Sequence, residues 1–456
     1  MKLHRSISLS LVLLTATAWS QDDQPAPPAP AVSSPLLAAT LDPNESDSML
    51  VPPPVSGQIY PAAPAAEERS NYLRGGVTFT SAYSDNVLAG TTGTPVSDIS
   101  YSVWPTLALD ETTTRLHAVL TYAPGFTFYQ RLSSRNEADE NLGLELQYRL
   151  SPHVTLSGHD GLQKSSDAFN QPGQGLAAGV SGSAQGFNDS IVAPLAPRLS
   201  NNANLGISYQ FSPHAMIGAS GSFGNLHYPN SSEVPGLYDS ATRGGSAFYS
   251  YRLAAHHYLG ATYQYQDLLS YPTGGTSQTQ TDSFLLFYTY VASPAFSISL
   301  YGGPQYYSAG PQYGNAGTAP LPPTQAWTPA AGASLSWHAL HTGMAASYSR
   351  GVSGGSGLIG AVQLDVASLS LRQQITHNFD AGLSAAYANN AVLAGSALGG
   401  HSVSGSAAIE RLVGTHLNLQ AGYTRLHQDY DFSSADPDTN REWVAVSWQF
   451  VKALGR

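Results

Sequence analysis

The sequence has no cysteine, little charge, and no long apolar run beyond its first residues. Without cysteine there is no disulfide, no thiolate metal site and no lipid anchor on an N-terminal Cys. Charged residues make up 11% of the chain, against roughly 25% in a typical soluble protein. Lysine occurs only as Lys2, Lys164 and Lys452, and the net charge is −11. A nucleic-acid binder needs a basic face to neutralise phosphates, so that class is excluded. No later stretch reaches the roughly 20 apolar residues of a membrane-spanning helix. There is no phosphate loop, no zinc spacing, and no Gly-x-Ser-x-Gly elbow between a strand and a helix. These absences predict a chain that is not an enzyme and carries no cofactor.

What replaces charge is Gly, Tyr and small or amide polar residues, with 44 Gly and 26 Tyr among 456 residues. That mixture suits a wall with lipid on one side and water on the other. The N-terminus reads as an address. Lys2, His4 and Arg5 precede an apolar run from Ile7 to about Ala18, and Ala18-Trp19-Ser20 offers small residues for cleavage before Gln21. Residues 1–20 are therefore expected to be a signal peptide. Residues 21–70 are rich in Pro and Ala, including Pro52-Pro53-Pro54. Such a segment cannot ladder and has little to bury, so a disordered periplasmic arm is expected.

From about residue 71 the hydrophobic period becomes two. Leu142, Leu144, Leu146, Tyr148 and Leu150 alternate with Asn141, Gly143, Glu145, Gln147 and Arg149. The same pattern recurs at Leu205 to Phe211, Leu259 to Tyr265 and Val444 to Phe450. Successive side chains on a strand point to opposite faces, so each segment has one apolar and one polar face. Short turns recur near 110–113, 150–153, 211–214, 253–257, 293–294, 339–342, 376–379 and 413–415. Longer Gly/Ser/Pro/Asn-rich connections fall at about 84–97, 131–138, 164–198, 229–240, 268–280, 308–326, 351–361, 389–402 and 428–440. Strict alternation of short turns and long loops is the layout of a closed antiparallel transmembrane β-barrel. The count predicts an all-β barrel of about 18 strands over residues 71–456, with 16 or 20 also compatible. Aromatics beside the turns, such as Tyr209, Phe211, Trp337 and Trp448, suit a headgroup girdle.

The last segment, Trp443 to Phe450, resembles the C-terminal strand that outer-membrane barrel-assembly machinery reads. It departs from that pattern at Ala445, where Gly is usual, and in the tail Val451 to Arg456. The region from about Asn71 onward resembles the uncharacterised porin-like barrels of bacteria that export exopolysaccharide. The match rests on Leu73-Arg74-Gly75-Gly76-Val77, Tyr83-Ser84-Asp85-Asn86 and the ending Trp448 to Arg456. The resemblance implies the barrel fold and an outer-membrane location, with lipid as surroundings. The count of turns and loops puts both termini in the periplasm, and the strand number with a lumen of Gly, Ser, Asn, Gln and Tyr suits a small polar solute or saccharide as cargo. A non-conducting barrel serving structure, adhesion or polysaccharide export, and less readily a lipid-acting enzyme, are the alternatives.

Charged residues on polar strand faces are the lumen candidates: Glu145, Arg149, Arg252, Asp365, Arg372 and Glu410. They would form a selectivity ring or simply be solvated. Histidines beside short turns (His153, His214, His257, His341, His377, His416) suit polar anchoring better than metal binding, because ligands must converge. Asp429, Asp431, Asp436 and Asp438 share a long connection but lack calcium-loop spacing. Ser404 and Ser406 flank Gly405 on a polar face without a nucleophile elbow. Residues 164–198 are long enough to fold inward as a plug.

Overall fold

The computed structural model describes residues 71–88, 95–165, 196–229, 237–272, 275–293, 295–311, 313, 322–357, 359–393, 399–431 and 438–454. The expected leader and arm (1–70) and most of the expected plug (166–195) lie outside them. The strands are β1 (Tyr72–Ser84), β2 (Asp98–Thr112), β3 (Leu116–Tyr129), β4 (Glu137–Ser151), β5 (Val154–Ser165) and β6 (Arg198–Ser212). Next come β7 (Ala215–His227), β8 (Asp239–Ala254), β9 (His257–Tyr271), β10 (Ser277–Ser293), β11 (Phe296–Ala309) and β12 (Thr324–His338). The last six are β13 (Thr342–Gly355), β14 (Ile359–Thr376), β15 (Phe379–Val392), β16 (Gly399–Val413), β17 (Leu417–Tyr430) and β18 (Asp438–Ala453).

Each strand pairs antiparallel with its sequence neighbours, and β1 pairs with β18, so the sheet is a closed antiparallel barrel of 18 strands. Closure removes the open edges of the sheet, apart from the upper part of β12, which β13 does not accompany. Carried once round the ring, the pairing registers advance by about 22 residues, which tilts the strands by ~40° and gives a backbone radius of ~18 Å. A ring of that size is too wide for wall side chains alone to fill.

The closing seam explains two sequence features. Gly75 stands opposite Phe450, and a Cβ there would lie 2.4 Å from the Phe450 ring. Only glycine lets that ring lie flat on β1. The last strand does not stop at its aromatic: Val451, Lys452 and Ala453 pair with Arg74, Leu73 and Tyr72. Tyr72 and Ala453 both sit at the short-turn end.

The short turns share local devices. Ser151, Ser212 and Ser293 each accept, through Oγ, a backbone N–H two residues on, from His153, His214 and Ala295. A serine before proline thus supplies its own turn bond. Four of the turn histidines tie their hairpin to the next strand. The carbonyls of His153, His214, His341 and His416 accept N–H groups from Gln210, Arg252, Gln374 and Gln449. Among the described residues no group of three His, Asp or Glu converges to hold a metal.

Outside and inside separate cleanly. Leu142, Leu144, Leu146, Leu205, Ile207, Leu286, Leu300, Leu369, Val444 and Val446 are large, exposed and on one face. Only hydrocarbon makes such a surface stable. Tyrosines mark its long-loop border: Tyr263, Tyr348, Tyr423 and Tyr306 donate to Asp282, Asp365, Asn440 and Gln325 on the next strand. His257, Tyr288, Trp448 and Phe450 mark the short-turn border. Their amphipathic rings suit the headgroup level.

Candidate functional site

The lumen has three zones, built by the inward-facing alternate residues. The first is a belt at the short-turn end. Strand parity turns Arg74, Asp110, Glu145, Arg149, Arg252, Arg372, Asp380 and Glu410 inward, opposite in phase to exposed neighbours such as Leu144 and Leu383. Arg372 Nη2 donates to Asp380 Oδ2 at 2.7 Å, and His117 Nε2 lies 3.5 Å from Asp110 Oδ1. Asn418 donates to Glu410. Four arginines face four carboxylates, so this belt has no dominant sign.

Five of the six sequence candidates lie in this zone. Asp365 does not. It stands opposite Arg350 on the outer face, accepts the Tyr348 hydroxyl, and lies 3.4 Å from Arg350 Nη1. The expectation that Asp365 lines the lumen is corrected by this register. Sequence reasoning missed Arg74, Asp110 and Asp380, which lie beside turns or the chain's first strand. Their signal was parity: each is one residue out of phase with an outward apolar neighbour, such as Leu73, Leu109 and Ala381.

The second zone is the inner wall of β3 to β6. Thr121, Asn141, His159, Gln163, Ser200 and Asn202 line a recess of about 420 Å³, with Gly143 and Gly161 also bordering it. No Asp, Glu, Lys or Arg borders it. Below it, the Glu145 side chain is 63% exposed to the lumen and lies 3.9 Å from His159 Nδ1.

The third zone is the opposite wall, β8 to β11, whose inward residues are covered. Thr262 and Phe287 are each 1% exposed, and Thr279 and Thr281 each 2%. In its lower part Met216, Phe248 and Phe287 pack together with Tyr301. Its upper part is covered by the β13–β14 hairpin. β12 pairs with β13 only from Ala331↔Arg350 to His338↔Gly343. Beyond Arg350, β13 leaves β12 and stays paired with β14 alone. The freed hairpin turns into the barrel. Val352, buried, packs with Leu268, Tyr307, Ala309 and Ala361, and its N–H donates to Gln305 Oε1 at 3.1 Å.

The hairpin tip is pinned at the far side of its reach. Tyr238 N–H donates to the Gly357 carbonyl at 2.9 Å, and Tyr228 Oη donates to the Ser356 carbonyl at 2.7 Å. Gly357 has φ +80°, and a Cβ there would lie 2.5 Å from the Tyr228 ring. A left-handed backbone under an aromatic ring admits glycine and little else. Burial, then Tyr228 beside it, push the Tyr238 hydroxyl well above the ordinary tyrosine range. Ile359 and Val362 join a buried cluster with Ala196, Leu226, Tyr228, Leu237, Val392 and Tyr430. Those partners come from both sides of the ring, so the cluster bridges the long-loop mouth. Residues 351–361, expected as a surface loop, are thus mostly strand folded inward.

The other sequence candidates are structural here. Ser406 pairs its hydroxyl with Ser384 at 2.7 Å. Asp438 lies 3.3 Å from Arg425 Nη2, and Asp431 Oδ2 accepts Gly399 N–H at 3.4 Å. Asp436 lies outside the described residues. One outward residue is out of place. Asp160 faces outward, level with Leu144 and Ala203 on the neighbouring strands, and accepts Asn201 Nδ2 at 2.9 Å.

No family model matches the chain, and no curated protein sequence matches it either. Solved structures resemble it at the level of fold. The FrpB iron transporter of Neisseria meningitidis is 10% identical with a TM-score of 0.42, over 82% of this chain and 65% of that one. This chain therefore spans just under two thirds of that transporter's length. The outer membrane protein OpdK of Pseudomonas aeruginosa is 12% identical, TM-score 0.40, over 83% of this chain and 99% of that one. OccAB4 of Acinetobacter baumannii is 10% identical, TM-score 0.42, over 84% and 99%.

Proposed function

We propose that the chain is an outer-membrane barrel that passes small polar solutes along one side of its lumen. The observation that carries this reading is the contrast between the outer band and the β3–β6 inner wall. The first is apolar apart from the Asp160–Asn201 pair; the second is polar, open at mid-height among the described residues and continuous with the charged belt below, while its long-loop end is covered, with Thr127 and Asp139 each 1% exposed. A sealed structural barrel has no need of an uncovered polar wall. Both termini are read as periplasmic, because Tyr72 and Ala453 share the short-turn end, and short turns lie on the periplasmic side of such barrels. Assembly through the strand ending near Phe450, and service in exopolysaccharide-exporting cells, belong to the same reading. The balanced belt favours neutral or zwitterionic solutes over ions of one sign.

Reconstitution into a planar bilayer is the test. Discrete conductance steps with weak ion selectivity are expected. Their absence with folded protein would refute the channel. One observation favours the second reading, a non-conducting barrel for structure, adhesion or export: the hairpin cluster that bridges the mouth. In that case conductance would be absent in the intact protein.

A further inference from the structure

We infer that the recess on the β3–β6 inner wall is a binding site for a neutral, hydroxyl-rich solute of the saccharide class. The inference deepens the channel reading and rests on it for the site's role in transport. The lining comes from four adjacent strands: Thr121 on β3, Asn141 on β4, His159 and Gln163 on β5, Ser200 and Asn202 on β6. Each side chain can donate and accept hydrogen bonds, as a hydroxyl group does. An anionic solute would need a cationic group on the wall to replace its hydration, and no Lys or Arg borders the recess; the charge beside it, Glu145 at 3.9 Å from His159, is a carboxylate.

Three features make this a site rather than a bare stretch of polar wall. The first is shape. Gly143 and Gly161 remove side chains from two strands at one height, and backbone is left to meet the solute. A Cβ on Gly143 would crowd Thr121 Oγ1 at 2.7 Å, so that position cannot be filled without displacing a lining hydroxyl. The second is availability. Among the described residues no protein group pairs with the side-chain amides of Gln163 and Asn202, whereas Asn141 Nδ2 makes only a 3.5 Å approach to the Ala123 carbonyl. Amides held on rigid strands and left uncommitted are preorganised for a ligand. The third is size. A volume of about 420 Å³ lies in the range of small-molecule sites, roughly 300–1,000 Å³, with room for one or two sugar rings. Near neutral polar groups a saccharide exchanges water hydrogen bonds for protein ones at little net gain, so affinity should be weak and exchange fast. Weak binding is what passage requires.

The test is calorimetric titration of the full-length, detergent-solubilised barrel with maltose and, separately, with gluconate. Maltose should bind and gluconate should not. Gln163→Leu and Asn202→Leu should each weaken maltose binding by about ten-fold, and Gly161→Leu should abolish it by filling the recess. Thr289→Val, on the covered wall, should leave it unchanged. Heat-modifiable gel migration identifies any variant that fails to fold. No maltose binding by folded protein, equal binding of gluconate, or unchanged affinity in both leucine variants would overturn the inference. Conductance without sugar separates the two readings: a conducting barrel that ignores maltose refutes the recess alone. A silent barrel that binds maltose refutes the channel alone.

Discussion

The two sides of the lumen are made of the same kinds of residue and differ in what lies over them. On β9 and β10, Thr262, Gln264, Thr279 and Thr281 are buried. On β4 and β5, Asn141, His159 and Gln163 remain open around a recess. Both sets alternate with outward apolar side chains, and both are Ser/Thr/Asn/Gln in character. Among the described residues the covered side has two covers: aromatic rings lying along the wall, and a hairpin detached from β12. On the open side the recess itself has neither among the described residues, although the long-loop end of the same wall is covered, with Thr127 and Asp139 each 1% exposed and Tyr129 packed with Val87. Inward polarity alone therefore does not mark the path of a solute. The path is whatever polar wall the rest of the chain leaves uncovered.

The largest effect should come from chemical access. The native chain has no cysteine, so single cysteines report without background. Gln163→Cys should react with a water-soluble thiol reagent on the order of a hundred-fold faster than Thr281→Cys, because reactivity follows exposure. Equal rates would erase the distinction between the walls. Next in size is removal of the hairpin tip. Excising residues 352–359 and joining Gly351 to Gly360 should raise single-channel conductance about two-fold or more and speed labelling of Thr281→Cys. If labelling stays slow, something else covers that wall.

A smaller effect is expected in the belt. Arg372→Leu leaves the Asp380 carboxylate without its 2.7 Å partner and shifts the belt toward negative. The reversal potential in a salt gradient should move toward cation preference, with a stability loss of about 1 kcal/mol or less for a partly exposed pair. No shift in reversal potential would mean that the belt does not face the conducting path. The smallest effect lies outside. Asp160→Leu replaces the carboxylate within the apolar band and should raise unfolding stability in vesicles by about 1 kcal/mol. A loss instead would mean that the Asp160–Asn201 pair is needed, for example as a protein contact.

Much of this was legible beforehand. The number of strands followed from two signals, a period of two and the alternation of short turns with long loops. Both arise from local backbone chemistry, such as the serine that closes its own turn at Ser151 and Ser212. The inward sides of Glu145, Arg149, Arg252 and Glu410 follow from neighbours whose apolar phase is unbroken. β14 was harder, and the reason is physical. Its lower half puts Leu369 and Leu371 outward, toward lipid. Its upper half puts Val362, Leu364 and Val366 inward, where they are buried. The apolar phase changes within one strand because the two halves meet different apolar surroundings. Asp365 lies in the upper half, where the apolar residues point inward and the polar ones outward. The hairpin tip was hidden for a related reason. Gly351 to Gly357 has the composition of a surface loop, and its strand character comes from partners it meets only in space.

The sequence alone determined the closed barrel, a count of about 18 strands and the apolar exterior, because these depend on alternation and turns that each segment carries within itself; the structure fixed the count at 18 over 16 or 20. The tertiary structure decided which lumen wall is covered and which is open. That outcome depends on a glycine-rich hairpin finding Leu268, Tyr307, Tyr228 and Tyr238, residues distant in the chain, and no local pattern encodes that meeting.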